Sequence, residues 1–381
     1  MKKRYKRVIL LAALVLVLGG CSKPVDADDM TQQELDTTQQ ESSTATETEI
    51  VTEVETETEV LPVVNQVTIT AVGDCTLGAM HQHGYAGSFH QYYDSYGETY
   101  FFENFKEVFE NDDMTLINLE CVLTDSTNRV DKEFSLKGKP EYTGIMTSSS
   151  VEVCSLGNNH TRDYGEKSLT DTIEALDTAG IAYAYNDIVS YYTTEDGIVV
   201  AVISARVTSS TMAHEKYLHD GVAEAKEKEA DIIIAACHWG VEGDHYPTGF
   251  QRELAHELID EGADLIIGHH PHVLQGLEVY NGKVICYSLG NFSFGGNRNP
   301  SDKNTAAYQQ TFTLVDGELQ PTLEAKIIPS RLSGHNDKND FQPMIAQGDQ
   351  AASIIEKMNQ YSSKYSNLRL DEEGVLVFTE E

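Results

Sequence analysis

From Val67 onward the chain alternates between short runs that are apolar on both faces and longer stretches with apolar residues at helical spacing. Short runs rich in isoleucine, valine and alanine read as buried strands of a parallel sheet. Six of them are Val67–Val72, Met114–Ile117, Val151–Leu156, Ile198–Ile203, Asp231–Cys237 and Asp264–Gly268. Leu169, Ile173 and Leu176 predict a helix closing at Gly180; Phe250, Leu254, Leu258 and Ile259 predict another closing at Gly262. After His272 the pattern changes. Asn281-Gly282 and Asp316-Gly317 are hairpin signals, predicting antiparallel strands that extend or cover the sheet. Ile354, Ile355 and Met358 predict a short helix, and Val375–Phe378 an edge strand.

Five of the six runs end in side chains that donate oxygen or nitrogen. They lead into Gly73-Asp74, Asn118-Leu119-Glu120, Asn158-Asn159-His160, His238-Trp239-Gly240 and His269-His270-Pro271-His272, whereas Ile198–Ile203 has no ligand-like end. In open α/β sheets the carboxyl edge of the strands is where ligands bind. Imidazole and carboxylate suit hard and borderline divalent metals, so the pattern points to a metal site. Taken singly, Asp74, Asn158 and Asn159 also suit turns and helix caps. In an extended His-x-His segment alternate side chains share a side, so His270 and His272 are expected to reach one ion while His269 points away. His81, His83 and His90 lie in a loop rich in tyrosine and glycine, read as surface or substrate-facing, with metal binding by His81-Gln82-His83 as the alternative.

The first sixty residues differ in kind. Lys2, Lys3, Arg4, Lys6 and Arg7 precede the apolar run Val8–Leu18, and Leu18-Gly19-Gly20-Cys21 follows. This order describes a secretory signal, and its last four residues resemble a bacterial lipobox with Cys21 as the lipidated residue. The alternative is a plain signal or an uncleaved anchor, with Cys21 there by chance. Residues 24–60 are acidic, polar and free of aromatics, which predicts a solvated tether. The net charge of −34 argues against nucleic acid as a partner. Cys75, Cys121, Cys154, Cys237 and Cys286 read as small buried apolar residues, with metal ligation by Cys75, Cys121 and Cys237 as the alternative.

Taken together, Gly73-Asp74, Asn118-Leu119-Glu120, Asn158-Asn159-His160 with Asp163-Tyr164-Gly165, His238-Trp239-Gly240, His270-Pro271-His272 and Ser288-Leu289-Gly290-Asn291-Phe292 resemble the CapA family of capsule (poly-γ-glutamate) synthesis proteins. That family is related to the calcineurin-like metallophosphoesterases. The resemblance implies an α/β fold, a four-layered sandwich with mixed sheets. It also implies a metal set of Asp74, Glu120, Asn159, His238, His270 and His272, and His160 as the catalytic histidine, oriented by Asp163. One or two divalent ions (Mn, Zn, Fe or Mg) are expected. The phosphoesterases carry Asp-x-His at the first motif; here the third position is Thr76, and Glu120 stands where a bridging aspartate is expected.

The expected organisation is a signal at 1–20, a tether at 21–66, the metallophosphoesterase-like domain at 67–330 and a C-terminal extension packed on it at 331–381. Two functions fit. One is a surface-anchored protein of capsule or wall-polymer metabolism with a metal-dependent hydrolase-like site acting on an anionic polymer. The other is a non-catalytic lipoprotein that binds nascent polymer or membrane polyglutamate synthase subunits.

Overall fold

Thirteen residues, Val64–Thr76, form the central strand β1. The structure, a computed structural model, describes residues 61–365 and 367–378; the signal segment, Cys21 and the low-complexity stretch at 24–60 lie outside the described residues. β1 starts before the apolar run because Val64, Asn65 and Gln66 pair with Val315, Leu314 and Thr313. The other main strands are β2 (Met114–Leu119), β3 (Val153–Ser155), β4 (Ala182–Ala184), β5 (Ser190–Thr193), β6 (Val199–Val207) and β7 (Ile232–Trp239). They continue as β8 (Leu265–His269), β9 (Leu277–Tyr280), β10 (Lys283–Cys286), β11 (Asn291–Phe294), β12 (Asn304–Val315), β13 (Glu324–Arg331), β14 (Leu368–Leu370) and β15 (Leu376–Phe378).

Among the described residues two large mixed sheets form. The nine-stranded sheet has its main strands in the order β13-β12-β1-β2-β3-β4, with β11 parallel to the end of β1. The six-stranded sheet runs β9-β10-β8-β7-β6-β5. The neighbours β1-β2-β3-β4 and β10-β8-β7-β6 are parallel. Both expected hairpin turns form, with Asn281 and Gly282 at φ 47° and 76° and Asp316 and Gly317 at 52° and 84°. The first hairpin extends the smaller sheet, and the second lies beside β1 in the larger one.

Strand alternation divides the side chains between three apolar layers. Val67, Ile69 and Ala71 of β1 and Met114 and Leu116 of β2 meet Val200, Val202, Ile232, Ile234, Leu265 and Ile267 in one core between the sheets. The alternate residues Val72, Ile117 and Cys154 face helices α1 (Phe89–Tyr96) and α2 (Glu166–Ala179). On the other side Ala201, Ile203, Ile233 and Ala235 face α3 (Glu215–Glu227) and α4 (Gly249–Glu261). A capping box between Thr248 and Gln251 starts α4, and Gly262 ends it. The fold is thus mixed α/β.

Elements between Asp349 and Phe378 complete the inner core. α5 (Asp349–Ser362) contributes Ile354, Ile355 and Met358, joined by Leu368, Leu370 and Leu376 of β14 and β15. β15 pairs with β14 in a two-stranded ribbon. The five cysteines named above are buried free thiols, and none belongs to a candidate ligand group among the described residues. No helix of the described residues is long and apolar enough to cross a membrane.

Candidate functional site

The layer between the sheets turns polar at the carboxyl ends of the strands. On β7 Ile232, Ile234 and Ala236 face that layer, so His238 follows on the same face. By the same alternation β2 delivers Asn118 after Leu116, and β8 delivers His269 after Ile267. Strict alternation on β1 would send Asp74 outward with Val72, but a break in register between Ala71 and Asp74 turns it. Gly73 makes this possible: a Cβ there would stand 2.1 Å from the Gly290 carbonyl oxygen, which accepts the Asp74 N–H at 2.8 Å.

Asp74 is fully buried at the centre. Its Oδ1 accepts from Asn118 Nδ2 at 2.8 Å and its Oδ2 from the His270 N–H at 3.3 Å. His269 Nδ1 lies 3.3 Å and His272 Nδ1 3.1 Å from the two carboxylate oxygens. Burial alone would raise the Asp74 carboxyl, but contact with His269 and His272 overcomes it and holds the group well below the usual range. Burial opposes charge on His272, yet Glu120 and Asp74 outweigh it and raise that imidazole to about 10. His272 also contacts Asn291 Oδ1 at 2.9 Å.

Glu120 is the opposite case. Both carboxylate oxygens are buried, and among the described residues neither receives a hydrogen bond. The nearest ring nitrogens are His238 Nε2 at 3.6 Å, His272 Nδ1 at 3.8 Å and His160 Nε2 at 4.0 Å. Burial, reinforced by the charges of Asp74 and Glu242 against the pull of His272, pushes the Glu120 carboxyl well above the usual range.

The remaining residues close around these two carboxylates. His238 Nε2 meets Asn159 Oδ1 at 2.9 Å, and its ring lies 4.6 Å from that of His270. Burial, with His270 adding to it, lowers His238; burial and His272 lower His270 to about 4. His160 Nδ1 faces Asp163 Oδ2 at 2.7 Å, and Asp163 is itself fixed by Lys132 Nζ and the Leu136 N–H, each at 2.6 Å. Burial lowers His160 against the pull of Asp163. A cavity of about 350 Å³ opens beside His272, lined by Glu242, Asn291, Phe294 and Asp302 among others.

The structure therefore brings Asp74, Glu120, Asn159, His160, Asp163, His238, His270 and His272 to one edge. Three overlapping sets offer ligand atoms within 4.8 Å of one another: Glu120, His238 and His270; Asp74, Glu120 and His272; and Glu242, His270 and His272. One expectation needs correcting. His270 and His272 have φ of 96° and 59°, so their segment is not extended and the alternation argument fails there. His269 ends β8 on the site face, against Asp74, instead of pointing away.

Sequence reasoning missed Glu242, Lys132 and the role of Asn118. Asn118 continues the alternation of β2 and was legible on that ground; Glu242 and Lys132 sit in loops with no periodic signal. Thr76 donates its hydroxyl to the Glu120 carbonyl at 3.2 Å. His90 meets the Tyr142 hydroxyl at 2.7 Å, and His81, His83 and His90 join none of the candidate ligand sets among the described residues.

The sequence profile of the family described as "Bacterial capsule synthesis protein PGA_cap" matches residues 68–296. The chain belongs to this family. Every candidate metal ligand named above, with His160 and Asp163, lies inside the span matched by the PGA_cap profile. Among individual relatives, the PGA biosynthesis protein CapA of Bacillus subtilis (strain 168) is 36% identical over 215 residues, covering 51% of this chain and 56% of that one. The capsule biosynthesis protein CapA of Bacillus anthracis is 33% identical over 254 residues, covering 60% of each chain. A probable polyglutamine synthesis accessory protein of Mycobacterium tuberculosis (strain ATCC 25618 / H37Rv) is 29% identical over 255 residues, covering 58% of this chain and 66% of that one. The chain thus spans little more than half the length of the two Bacillus relatives.

Proposed function

We propose that this chain is a surface-anchored accessory protein of capsule, poly-γ-glutamate or cell-wall polymer biosynthesis, with a metal-dependent hydrolase-like site. Membership of the PGA_cap family and the names of the Bacillus relatives support the first half. The observation that carries the second half is Glu120, a buried carboxylate with no hydrogen-bond donor among the described residues. A buried carboxyl group left without a partner costs free energy in either protonation state, and a cation among Glu120, Asp74 and the histidines would remove that cost.

Asp74, Glu120, Asn159, His238, His270 and His272 would hold one or two divalent ions, a donor set that suits Mn, Zn, Fe or Mg. Such an ion supplies Lewis acidity and lowers the pKa of its water toward roughly 7. His160 is held neutral by burial, and its Nδ1 is directed at Asp163. Its Nε2 is then free to take a proton from an attacking group and to return it to a leaving group. Lys132 locks Asp163, and with it the imidazole plane. The order of helices, sheet, sheet and helices, with the site at the strand ends, supports kinship with the metallophosphoesterases and hence hydrolysis or transfer at a phosphoester or amide.

A second reading is a non-catalytic subunit that binds polymer or membrane synthase subunits, favoured by Thr76 standing where a phosphoesterase has a histidine. Metal content and phosphodiester turnover of the purified protein separate the two. Wild type is expected to hold roughly one to two metal equivalents and His238→Ala far less, while His160→Ala keeps metal and loses turnover. Metal without turnover in wild type supports the second reading, and protein that takes up no metal sinks the site altogether.

The lipobox-like Leu18-Gly19-Gly20-Cys21 supports anchoring to the outer face of the cell membrane. Stable anchoring needs more than one acyl chain, as in bacterial lipoproteins. Cys21→Ser is expected to move the protein out of the membrane fraction or leave it unprocessed. Unchanged mass and unchanged fractionation would contradict lipidation.

A further inference from the structure

β6 runs past its apolar stretch and ends in Arg206-Val207. Val200 and Val202 face the core between the sheets, and Ser204 reaches across it to Ser155 at 2.6 Å. Arg206 is the next residue on that face. In register it lies directly beside His238, as His238 lies beside His269. With Asn159 it lines a cavity of about 140 Å³, whose walls also include Asn158, Asn186 and His214.

The guanidinium is half-buried and held by neutral groups alone: Nε donates to Thr208 Oγ1 and Nη2 to Ser210 Oγ, each at 3.2 Å. No described carboxylate forms an ion pair with it, and burial lowers its pKa with no acidic neighbour to oppose the effect. Two other arginines are paired with carboxylates, Arg162 with Glu166 and Arg252 with Glu278. Even a half-buried cation gains from a counter-charge, and in a chain of net charge −34 acidic partners are abundant. A guanidinium has five N–H donors in a planar fork that matches carboxylate and phosphate oxygens.

We propose that Arg206 is an oxyanion-binding residue beside the candidate metal centre, placed to hold a carboxylate or phosphate of the substrate next to the bond that is cut. It gives the site a polarity. The cavity on the His272 side is lined by Glu242 and Asp302, so an anionic group enters on the β6 side. The statement about a cut bond rests on the hydrolase-like reading above, but anion binding is measured without turnover. The oxyanion has two sources, the α-carboxylate of a γ-linked glutamyl unit or a phosphate.

The test is calorimetric titration of the full chain with γ-linked triglutamate and, separately, with inorganic phosphate. Wild type, Arg206→Gln and Arg206→Lys are compared after thermal melts and elemental analysis. The glutamine variant is expected to bind the recognised anion roughly 10- to 100-fold more weakly, the worth of one charge-assisted contact, with unchanged metal content. The lysine variant, which keeps the charge but not the fork, should fall between. Loss confined to triglutamate assigns the subsite to polymer carboxylate, and loss confined to phosphate assigns it to phosphate. Binding through Arg206 by protein that takes up no metal would keep this inference while sinking the metal reading. Equal affinity of wild type and Arg206→Gln for both probes would overturn it. So would failure of wild type to bind either probe, or loss of metal in Arg206→Gln.

Discussion

Asp74→Asn is expected to abolish metal loading and to destabilise the metal-free protein by about 3–5 kcal/mol at neutral pH, the usual cost of removing one partner from a buried ion pair. The asparagine keeps the shape and the Asn118 contact but leaves His269 and His272 facing no charge. The pH dependence fixes the sign. Asp74 is depressed in the folded state, so its contribution is present above the unfolded carboxyl value and is lost as pH falls through the folded one. The gap between wild type and variant should therefore be full at pH 7 and shrink below about pH 4. Denaturant melts in chelator across that range, with elemental analysis of untreated protein, provide the check. A variant as stable as wild type at pH 7 would show that Asp74 is not the anchor of these imidazoles.

The neighbouring carboxylate should behave in the opposite way. Glu120→Gln is expected to abolish metal loading yet stabilise the metal-free protein by about 1–3 kcal/mol at pH 7. The Glu120 pKa is raised in the folded state, so the folded protein holds a proton that the unfolded chain has released, and stability falls as pH rises above the unfolded value near 4.5. A neutral amide escapes that penalty. The advantage of the variant should grow with pH above 4.5 and vanish below it, which melts in chelator at several pH values would reveal. Metal should reverse the order, stabilising wild type and leaving the variant unmoved. Two carboxylates in one pocket would then have opposite effects on the empty fold, as expected where function is built at the expense of stability. If Glu120→Gln destabilises at all pH values, its oxygens have partners that the structure lacks.

Much of this site was legible before the structure. Runs such as Ile232–Ala236 and Leu265–Ile267 are apolar on both faces, and polar residues at their ends mark the carboxyl edge. What pattern cannot convey is the backbone after the strand ends. His270 and His272 are left-handed without being glycine, a conformation with no sequence signal, and assuming an extended segment misplaced His269. Alternation along Leu265, Ile267 and His269 would have placed it correctly. Arg206 was missed for a related reason. Ser204 interrupts the apolar run of β6, so the strand was read as ending early, although that serine bonds across the core and the strand continues. Glu242 and Lys132 reach the site from loops, where only three-dimensional proximity reveals them.

The place of β1 bears on how the chain acquires its structure. One edge of β1 pairs with β2, a near neighbour in sequence, and the other with β12; at the start of that second ladder Val63 is tied to Asp316, 253 positions away. Pairings this distant in sequence bear the loop-closure cost before any contact offsets it, so they form late and slowly. At ribosomal speed the emerging β1 waits on the order of tens of seconds for its partner. Throughout that interval an apolar strand has one bare edge, the template on which misassembly begins. That edge is exposed from the time β1 emerges until β12 follows it, before the site exists at all.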